Sequence, residues 1–191
     1  MNVVYAPSRR CCVDFRRLLQ WNVLKPARYS GPEYFPTGFA PRTDRDFAVC
    51  LAYPDSYEVG MSNTGMKILY SILRRMPEVY IDLAFTPWVD MEQAMRASNI
   101  VMESRHGAIP LGDFDLLGFS LQYELNYTNV LTMLDLAGIP FRSESRTEAH
   151  PIVIAGGPCA THPLPVAPFF DAVLIGDGEE LLPEFIETVR R

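Results

Sequence analysis

Side chains that could bind a ligand recur just after the short apolar runs of this sequence. They are carboxyl, hydroxyl and amide groups interspersed with glycine, namely Asp55, Tyr57, Gly60, Ser120, Gln122, Gly156, Gly157, Gly176 and Gly178. Glycine at a strand end permits positive φ angles and lets a bulky ligand approach the backbone. The last of these loops also opens a helix, whose free N–H groups favour an anion. We therefore interpret the nine positions as the lining of one ligand pocket.

Each of these loops also has a purely structural explanation. Asp177 and Glu180 have the spacing of a capping box, which by itself accounts for the last loop. The adjacent glutamates 179 and 180 would repel a phosphate. Gly156-Gly157-Pro158 is an ordinary turn signal. The pocket hypothesis therefore depends on the loops meeting at the same edge of one sheet.

Hydrophobic patterning predicts the elements that position these loops. Strands are predicted at 47–53, 79–85, 115–122, 152–155 and 172–175. Helices are predicted after a cap at Ser62, from a cap at Asp90 to Ala97, over 125–137 and from Gly178 towards Arg190. Alternating strands and helices imply right-handed crossovers and a mainly parallel sheet. We expect an α/β, flavodoxin-like (Rossmann-like), doubly wound five-stranded sheet in the order 2-1-3-4-5, with ligands beyond the carboxyl ends of its strands.

The remaining segments are predicted to be less regular. We interpret residues 1–45 as an irregular N-terminal arm or linker with a short helix at 15–21. Residues 46–191 are predicted to form the α/β domain. A short extra strand is expected at 100–102, and the proline-rich connection 158–170 is expected to be irregular. Trp88, in a strand-end loop, is the aromatic residue best placed to lie against a flat ligand or a neighbouring domain.

Composition argues against several classes of protein. The net charge is −6 and no basic stripe is visible, which disfavours nucleic acid as a direct partner. No apolar run approaches the roughly 20 residues that span a bilayer, and Met1–Arg17 has no apolar core of a secretory signal. The 4 cysteines are expected to be reduced thiols of a cytoplasmic protein.

Metal and phosphoacceptor sites are not supported by the pattern of residues. The histidines at 106, 150 and 162 are scattered, and Cys159 with His162 forms one isolated pair. A receiver-type phosphoacceptor domain would need a cation near the fifth strand, but both lysines, Lys25 and Lys67, lie far from it in the sequence.

Six motifs in a fixed order carry a family resemblance. They are KPARYSGPEY (25–34), PDSYEVGMS (54–62), TPWVDME (86–92), GFSLQYEL (118–125), IAGGP (154–158) and IGDGEE (175–180). With these motifs, residues 25–191 resemble radical SAM proteins whose N-terminal region is a cobalamin-binding-type domain. The resemblance implies an accessory domain that binds a corrinoid, or keeps the vestige of such a site, through the nine positions named above.

The sequence departs from the resemblance at two points. Cobalamin modules of the methionine-synthase type carry Asp-x-His-x-x-Gly after the first strand, and Tyr57 stands at the histidine position here. A neutral phenol, with a pKa of about 10, is a poor cobalt ligand, so we expect any corrinoid to bind without a histidine from this loop.

The second departure is the lack of a Cys-x-x-x-Cys-x-x-Cys motif. The resemblance therefore implies that the 4Fe–4S cluster and S-adenosylmethionine belong to a cluster domain, on the same or a separate chain, and that this chain has no turnover alone. Whether it is part of an enzyme stays open at this point. Two alternatives remain: a docking domain without a small-molecule ligand, and a flavin-binding domain.

Overall fold

The computed structural model describes residues 23–29, 43 and 46–190. The predicted helix at 15–21, Cys11 and Cys12 lie outside these residues. Within them, no helix has the length and apolar character that a bilayer crossing requires.

Five strands form one parallel sheet in the order β2-β1-β3-β4-β5. The strands are β1 (Phe47–Tyr53), β2 (Val79–Phe85), β3 (Leu116–Ser120), β4 (Ile152–Gly156) and β5 (Ala172–Val173). The α/β, flavodoxin-like prediction and the predicted strand order are confirmed. From β1 the chain first adds β2 on one side and then β3, β4 and β5 on the other. The carboxyl ends of β1 and β3 therefore form the switch point of the sheet.

Helices cover both faces of the sheet. They are α1 (Tyr57–Ser62), α2 (Thr64–Leu73), α3 (Val89–Ser98), α4 (Tyr127–Leu136) and α5 (Gly178–Val189). Short 3-10 turns occupy Pro26–Arg28, Leu111–Asp113, Glu124–Asn126, Ser143–Ser145, Pro158–Thr161 and Ala167–Phe169. One apolar core includes Met91, Met95 and Leu134 of α3 and α4, and the other includes Met66, Leu73 and Ile186 of α2 and α5. Burial on both faces explains the nearly continuous apolar runs of the strands.

Two predicted helix caps are wrong. Asn63 caps α2, because its Oδ1 accepts a hydrogen bond from the Met66 N–H at 2.9 Å, whereas Ser62 ends the preceding helix α1. The sequence analysis did not predict α1. Asp90 lies in the first turn of α3, after an N-cap at Trp88, and its carboxylate accepts from the backbone of Leu24 at 2.8 Å.

Several predicted boundaries also differ from the structure. The strand predicted at 115–122 spans only Leu116–Ser120, and the Oδ2 of Asp115 accepts from the Ala48 N–H at 2.7 Å to extend the pairing. The strand predicted at 100–102 is not formed, and Glu103 instead pairs with Pro110 in an isolated bridge. At the start of α5, Asp177 makes no side-chain capping bond.

The buried carboxylate of Asp82 binds the loop that covers the outer edge of β2. Its oxygens accept hydrogen bonds from the backbone N–H groups of His106 at 3.0 Å and Gly107 at 2.8 Å, and from the Tyr80 hydroxyl at 3.1 Å. The Nδ1 of His106 lies 2.8 Å from Asp82. Burial alone would raise the pKa of Asp82, but the hydrogen bonds from His106 and Gly107 outweigh it and lower that pKa below its ordinary value. A carboxylate therefore fixes the loop that covers this edge, which would otherwise expose unpaired backbone groups.

Asp82→Asn should make the fold less stable and less sensitive to acid. Because the folded pKa of Asp82 is depressed, its contribution is present above the unfolded pKa of about 4 and is lost as the pH falls through the folded pKa. We expect the substitution to lower the free energy of unfolding by about 2–4 kcal/mol at neutral pH and to flatten its pH dependence in acid. Urea unfolding over a pH series measures both. Glu148→Gln, at an exposed position, is the control, and equal pH profiles for the two variants would contradict the assignment.

Candidate functional site

A cavity of about 270 Å³ opens where the strands end, between the sheet and helices α2 and α5. Its walls are Leu51, Asn63, Gly65, Met66, Leu69, Gly118, Phe119, Ser120, Gln122, Ile154, Gly156, Gly157, Leu174, Gly176, Gly178, Glu179 and Leu182. β1, β3 and β4 supply the floor, so the cavity begins at the switch point. Most of the buried wall is aliphatic, and its polar side chains lie at or next to the ends of strands and helices: Asn63, Ser120, Gln122 and Glu179.

Six of the nine residues expected to line a pocket line this cavity. They are Ser120, Gln122, Gly156, Gly157, Gly176 and Gly178. Asp55, Tyr57 and Gly60 belong to the loop after β1 and to α1, and they do not line it. The sequence analysis missed Asn63 and the aliphatic wall of Met66 and Leu69. Their helical spacing was visible, but that pattern indicates a buried face without showing that the face borders an open space.

Glycine keeps the backbone close to the cavity at two loops. Gly157 has φ 96°, and a Cβ there would lie 2.7 Å from the carbonyl oxygen of Leu121. Gly176 has φ 144°, and a Cβ there would lie 2.7 Å from the Leu181 side chain. Side chains are therefore disfavoured at both positions by conformation and by space.

Gly118 differs, because its backbone has an ordinary strand conformation. A Cβ at Gly118 would meet Leu51 at 3.5 Å and Ile154 at 3.6 Å, which are normal contacts. An alanine therefore fits at this position, whereas a larger side chain would extend into the cavity that Gly118 lines.

The polar groups of the cavity suit a neutral ligand better than an anion. The Nε2 of Gln122 donates to the hydroxyl of Ser120, the last residue of β3, at 2.8 Å, and this bond fixes both side chains. Among the described residues, Glu179 is the only ionisable residue in the wall, and none of them contributes a lysine, arginine or histidine. A phosphate in this space would meet the Glu179 carboxylate and no cationic side chain of the described wall, which disfavours an anion at the helix N-terminus.

Tyr57 is held away from the cavity by an aromatic cluster. Its ring meets Phe85 edge-on with the centroids 5.6 Å apart, and the Arg105 guanidinium lies 4.6 Å from its centroid. Gly60 is buried one helical turn later, where a Cβ would lie 2.4 Å from the Phe85 ring. These two residues thus pack the loop after β1 against β2.

The segment 23–29 packs beside this aromatic cluster and forms ion pairs and hydrogen bonds with the residues around it. Arg28 and Lys25 form ion pairs with Glu58 of α1 at 2.9 and 3.3 Å. Arg105 donates to the Arg28 carbonyl at 2.7 Å, and the Arg28 guanidinium lies 4.9 Å from the centroid of the Trp88 ring. Part of the region assigned to the arm is therefore fastened to the loops at the carboxyl edge of the sheet.

Asp55 joins the loops after β1 and β3 across the switch point. Its carboxylate accepts hydrogen bonds from the Tyr123 hydroxyl and from the Ser56 N–H. The hydrogen bond to Asp55 raises the pKa of Tyr123. Asn126 and Asn129 each donate to the Pro54 carbonyl at 2.9 Å, so the two loops are held together by several bonds.

Comparison with known proteins identifies the family. The family described as radical SAM proteins, N-terminal, matches residues 65–191, which include β2 to α5 and most of the cavity wall. The chain belongs to this family. No curated protein matches it.

Radical SAM proteins use S-adenosylmethionine and an iron–sulfur cluster, which this family places in other domains. Within residues 23–29, 43 and 46–190, no group of three or more His, Cys, Asp or Glu side chains could hold a metal ion. In the same part of the chain Cys50 is buried, Cys159 is half-buried, and both are free thiols.

Tyr123→Phe and Asp55→Ala should show coupled effects on stability. Each removes the hydrogen bond between the Tyr123 hydroxyl and the Asp55 carboxylate, which we expect to contribute about 1 kcal/mol at this partly exposed position. In a double-mutant cycle followed by urea unfolding, the double variant should lose less than the sum of the single losses. Strictly additive losses would show that the two side chains do not interact in solution.

Proposed function

We propose that this chain is the accessory domain of a radical SAM protein and binds a corrinoid at the carboxyl edge of its sheet. The observation that carries the proposal is the cavity at the switch point, lined by six positions that the sequence singled out. The family match supports the radical SAM context. Bound there, a corrinoid would supply cobalt chemistry such as methyl transfer, while the cluster and S-adenosylmethionine would come from the cluster domain, on the same or a separate chain.

The size of the cavity limits which part of a corrinoid can enter. A volume of about 270 Å³ lies just below the range of roughly 300–1,000 Å³ that is typical of pockets enclosing whole small ligands. A corrin ring would therefore lie outside, over the strand-end loops, and only a smaller, uncharged part of the ligand would occupy the space beside Gly118. Ser120, Gln122 and Asn63 would offer it hydrogen bonds.

The loop after β1 does not fit a role in binding cobalt. Tyr57 stands where a histidine would be expected, and its ring is packed between Phe85 and Arg105. The protein would therefore hold the corrinoid by its periphery, with the aliphatic wall and backbone groups carrying most contacts.

Retention of hydroxocobalamin tests the proposal. The full chain is mixed with hydroxocobalamin and desalted, and the visible spectrum of the protein fraction is recorded. We expect the wild type and Gly118→Ala to keep the corrin absorbance and Gly118→Val to lose it, because the larger side chain extends into the cavity. Loss of the absorbance from the wild type, or equal retention by Gly118→Val, would refute corrinoid binding at this cavity.

Two controls separate binding from folding. Valine is favoured in strands, so the thermal unfolding midpoint of Gly118→Val should not fall. Gly112→Ala changes a glycine outside the cavity, where a Cβ would lie 3.7 Å from the nearest atom, and it should retain the corrinoid. A yellow purified protein would instead favour the flavin alternative. For a phosphorylated flavin, that alternative is disfavoured because the described residues of the cavity wall include no cation.

Docking of another polypeptide is the second candidate function, and one observation favours it. Large apolar side chains are exposed in the loops at the carboxyl edge, where Leu125 is 81% exposed and Ile175 is 57% exposed. This second role is compatible with a corrinoid, since the ligand and the partner would meet at the same edge.

A further inference from the structure

A second, smaller cavity lies at the end of β2, on the other side of the switch point from the cavity of about 270 Å³, which we call the first cavity. The two cavities share no described wall residue. Three of the six sequence motifs meet at the second cavity, namely those at 25–34, 54–62 and 86–92. The same three motifs contribute no described residue to the first cavity, which the other three motifs line. The second cavity therefore gathers the part of the sequence pattern that the first one leaves unused.

The wall of the second cavity carries more positive than negative charge. Its described residues include the guanidinium groups of Arg28 and Arg105 and one carboxylate, that of Glu103. Glu58 pairs with the Nε of Arg28 at 2.9 Å from outside the described wall. Arginine has five N–H donors, so Arg28 can bind a second acceptor while its Nε stays on Glu58. The charge of this wall thus favours an anion, in contrast to the first cavity with its single Glu179.

Aromatic rings and a backbone carbonyl hold both guanidinium groups in place. The Arg28 guanidinium lies 4.9 Å from the centroid of the Trp88 ring, and its side chain is only 12% exposed. The Arg105 guanidinium lies 4.6 Å from the centroid of the Tyr57 ring and donates to the Arg28 carbonyl at 2.7 Å. Because these contacts already order the two cations, a ligand that binds them causes little further loss of side-chain entropy.

A buried hydroxyl group also belongs to this cavity. Thr86 lines it, and the Oγ1 of Thr86 is buried without a hydrogen-bond partner among the described residues. The Thr86 N–H donates to the Asp55 carbonyl at 2.9 Å, which fixes this residue between β2 and the loop after β1. A buried hydroxyl that lacks a partner costs free energy. Thr86 therefore points to a ligand that accepts a hydrogen bond.

Size and apolar surroundings narrow the class of ligand. The volume of about 40 Å³ exceeds the roughly 10–15 Å³ that one water molecule needs, so the cavity admits a group of a few non-hydrogen atoms. Pro87, Met95 and Met102 offer apolar contacts to an aliphatic end. A guanidinium fork matches a carboxylate with two parallel hydrogen bonds. A short carboxylate therefore fits this wall better than a phosphate ester, which is larger.

We propose that the second cavity is a binding site for a small aliphatic carboxylate. Arg28 and Arg105 bind the carboxylate oxygens, the Thr86 hydroxyl donates a further hydrogen bond, and the aliphatic end packs against the methionines. The segment 23–29 is then part of a site as well as a support for the loops, because it supplies Arg28. The inference goes beyond the corrinoid proposal and does not depend on it, since the two sites use different residues.

Acetate and acetamide are matched probes of this site, because they have nearly the same shape and differ in charge. Binding of each to the full chain is measured by titration with saturation-transfer NMR at neutral pH and constant ionic strength. We expect saturable binding of acetate and none of acetamide. Thr86→Val and Arg28→Gln should each weaken acetate binding about tenfold, as expected for the loss of a hydrogen bond to a charged group. Thr132→Val, on α4 and outside both described walls, is the matched control and should bind acetate as the wild type does.

Thermal unfolding separates binding from folding. The unfolding midpoint of Thr86→Val should not fall, because valine keeps the shape and removes a hydroxyl that has no partner in the described part of the chain. Arg28→Gln is an independent test, since Arg28 belongs to neither apolar core. The proposal is overturned if the wild type does not bind acetate, if acetamide binds as tightly, or if either folded site variant binds acetate as the wild type does.

The two sites can be tested independently. Gly118→Val should bind acetate as the wild type does, because it changes only the first cavity, and Thr86→Val should retain hydroxocobalamin. If the wild type retains hydroxocobalamin but does not bind acetate, the carboxylate site fails and the corrinoid proposal stands. Binding of acetate without retention of hydroxocobalamin gives the opposite result.

Discussion

Parallel pairing of β1 with both β2 and β3 is the constraint on which the rest of this structure depends. Parallel strands need crossover connections, and right-handed crossovers place the helices before and after the switch point on opposite faces. The loops that follow β1 and β3 therefore leave the sheet in opposite directions. The separation opens a crevice at their carboxyl ends, and the cavity between α2, α5 and the sheet occupies it.

Hydrogen bonds between the loops after β1 and β3 hold this crevice in shape. Tyr123 and Asn126 from the loop after β3 reach Asp55 and Pro54 after β1, on the side of the sheet that α4 covers. On the other side, Asn63 caps α2 beside the cavity. The residues after β1 thus serve mainly to support the site, which explains why Asp55, Tyr57 and Gly60 are absent from its wall although the sequence placed them there.

The fold could be predicted from the sequence because burial on both faces leaves a strong pattern. The strand at 47–53 was bounded correctly, and the alternation of strands and helices indicated a parallel sheet. The alternation alone does not fix the strand order, which was an expectation that the structure confirms. Helix α1 was missed, because six residues that include Gly60 carry too little periodicity to distinguish a short helix from a loop. The cap at Asn63 was missed for the same reason, since the end of α1 at Ser62 was not visible.

The site was only partly predictable for a different physical reason. Glycines at strand ends are visible in a sequence, and those at 156, 157, 176 and 178 line the cavity as expected. The direction of a side chain after a strand depends on tertiary contacts, so Phe85 and Arg105 decided the position of Tyr57. Neither residue is near Tyr57 in the sequence, and no local signal links them.

The segment 23–29 changes the charge of the strand-end loops on one side of the switch point. Lys25 and Arg28 neutralise Glu58 beside β2, whereas Asp177, Glu179 and Glu180 are exposed beside β5. Glu179 lies in the cavity wall, and Trp88 and the arginines lie on the other side of the switch point. The asymmetry of charge follows from one segment that the strand pattern alone would have left outside the domain.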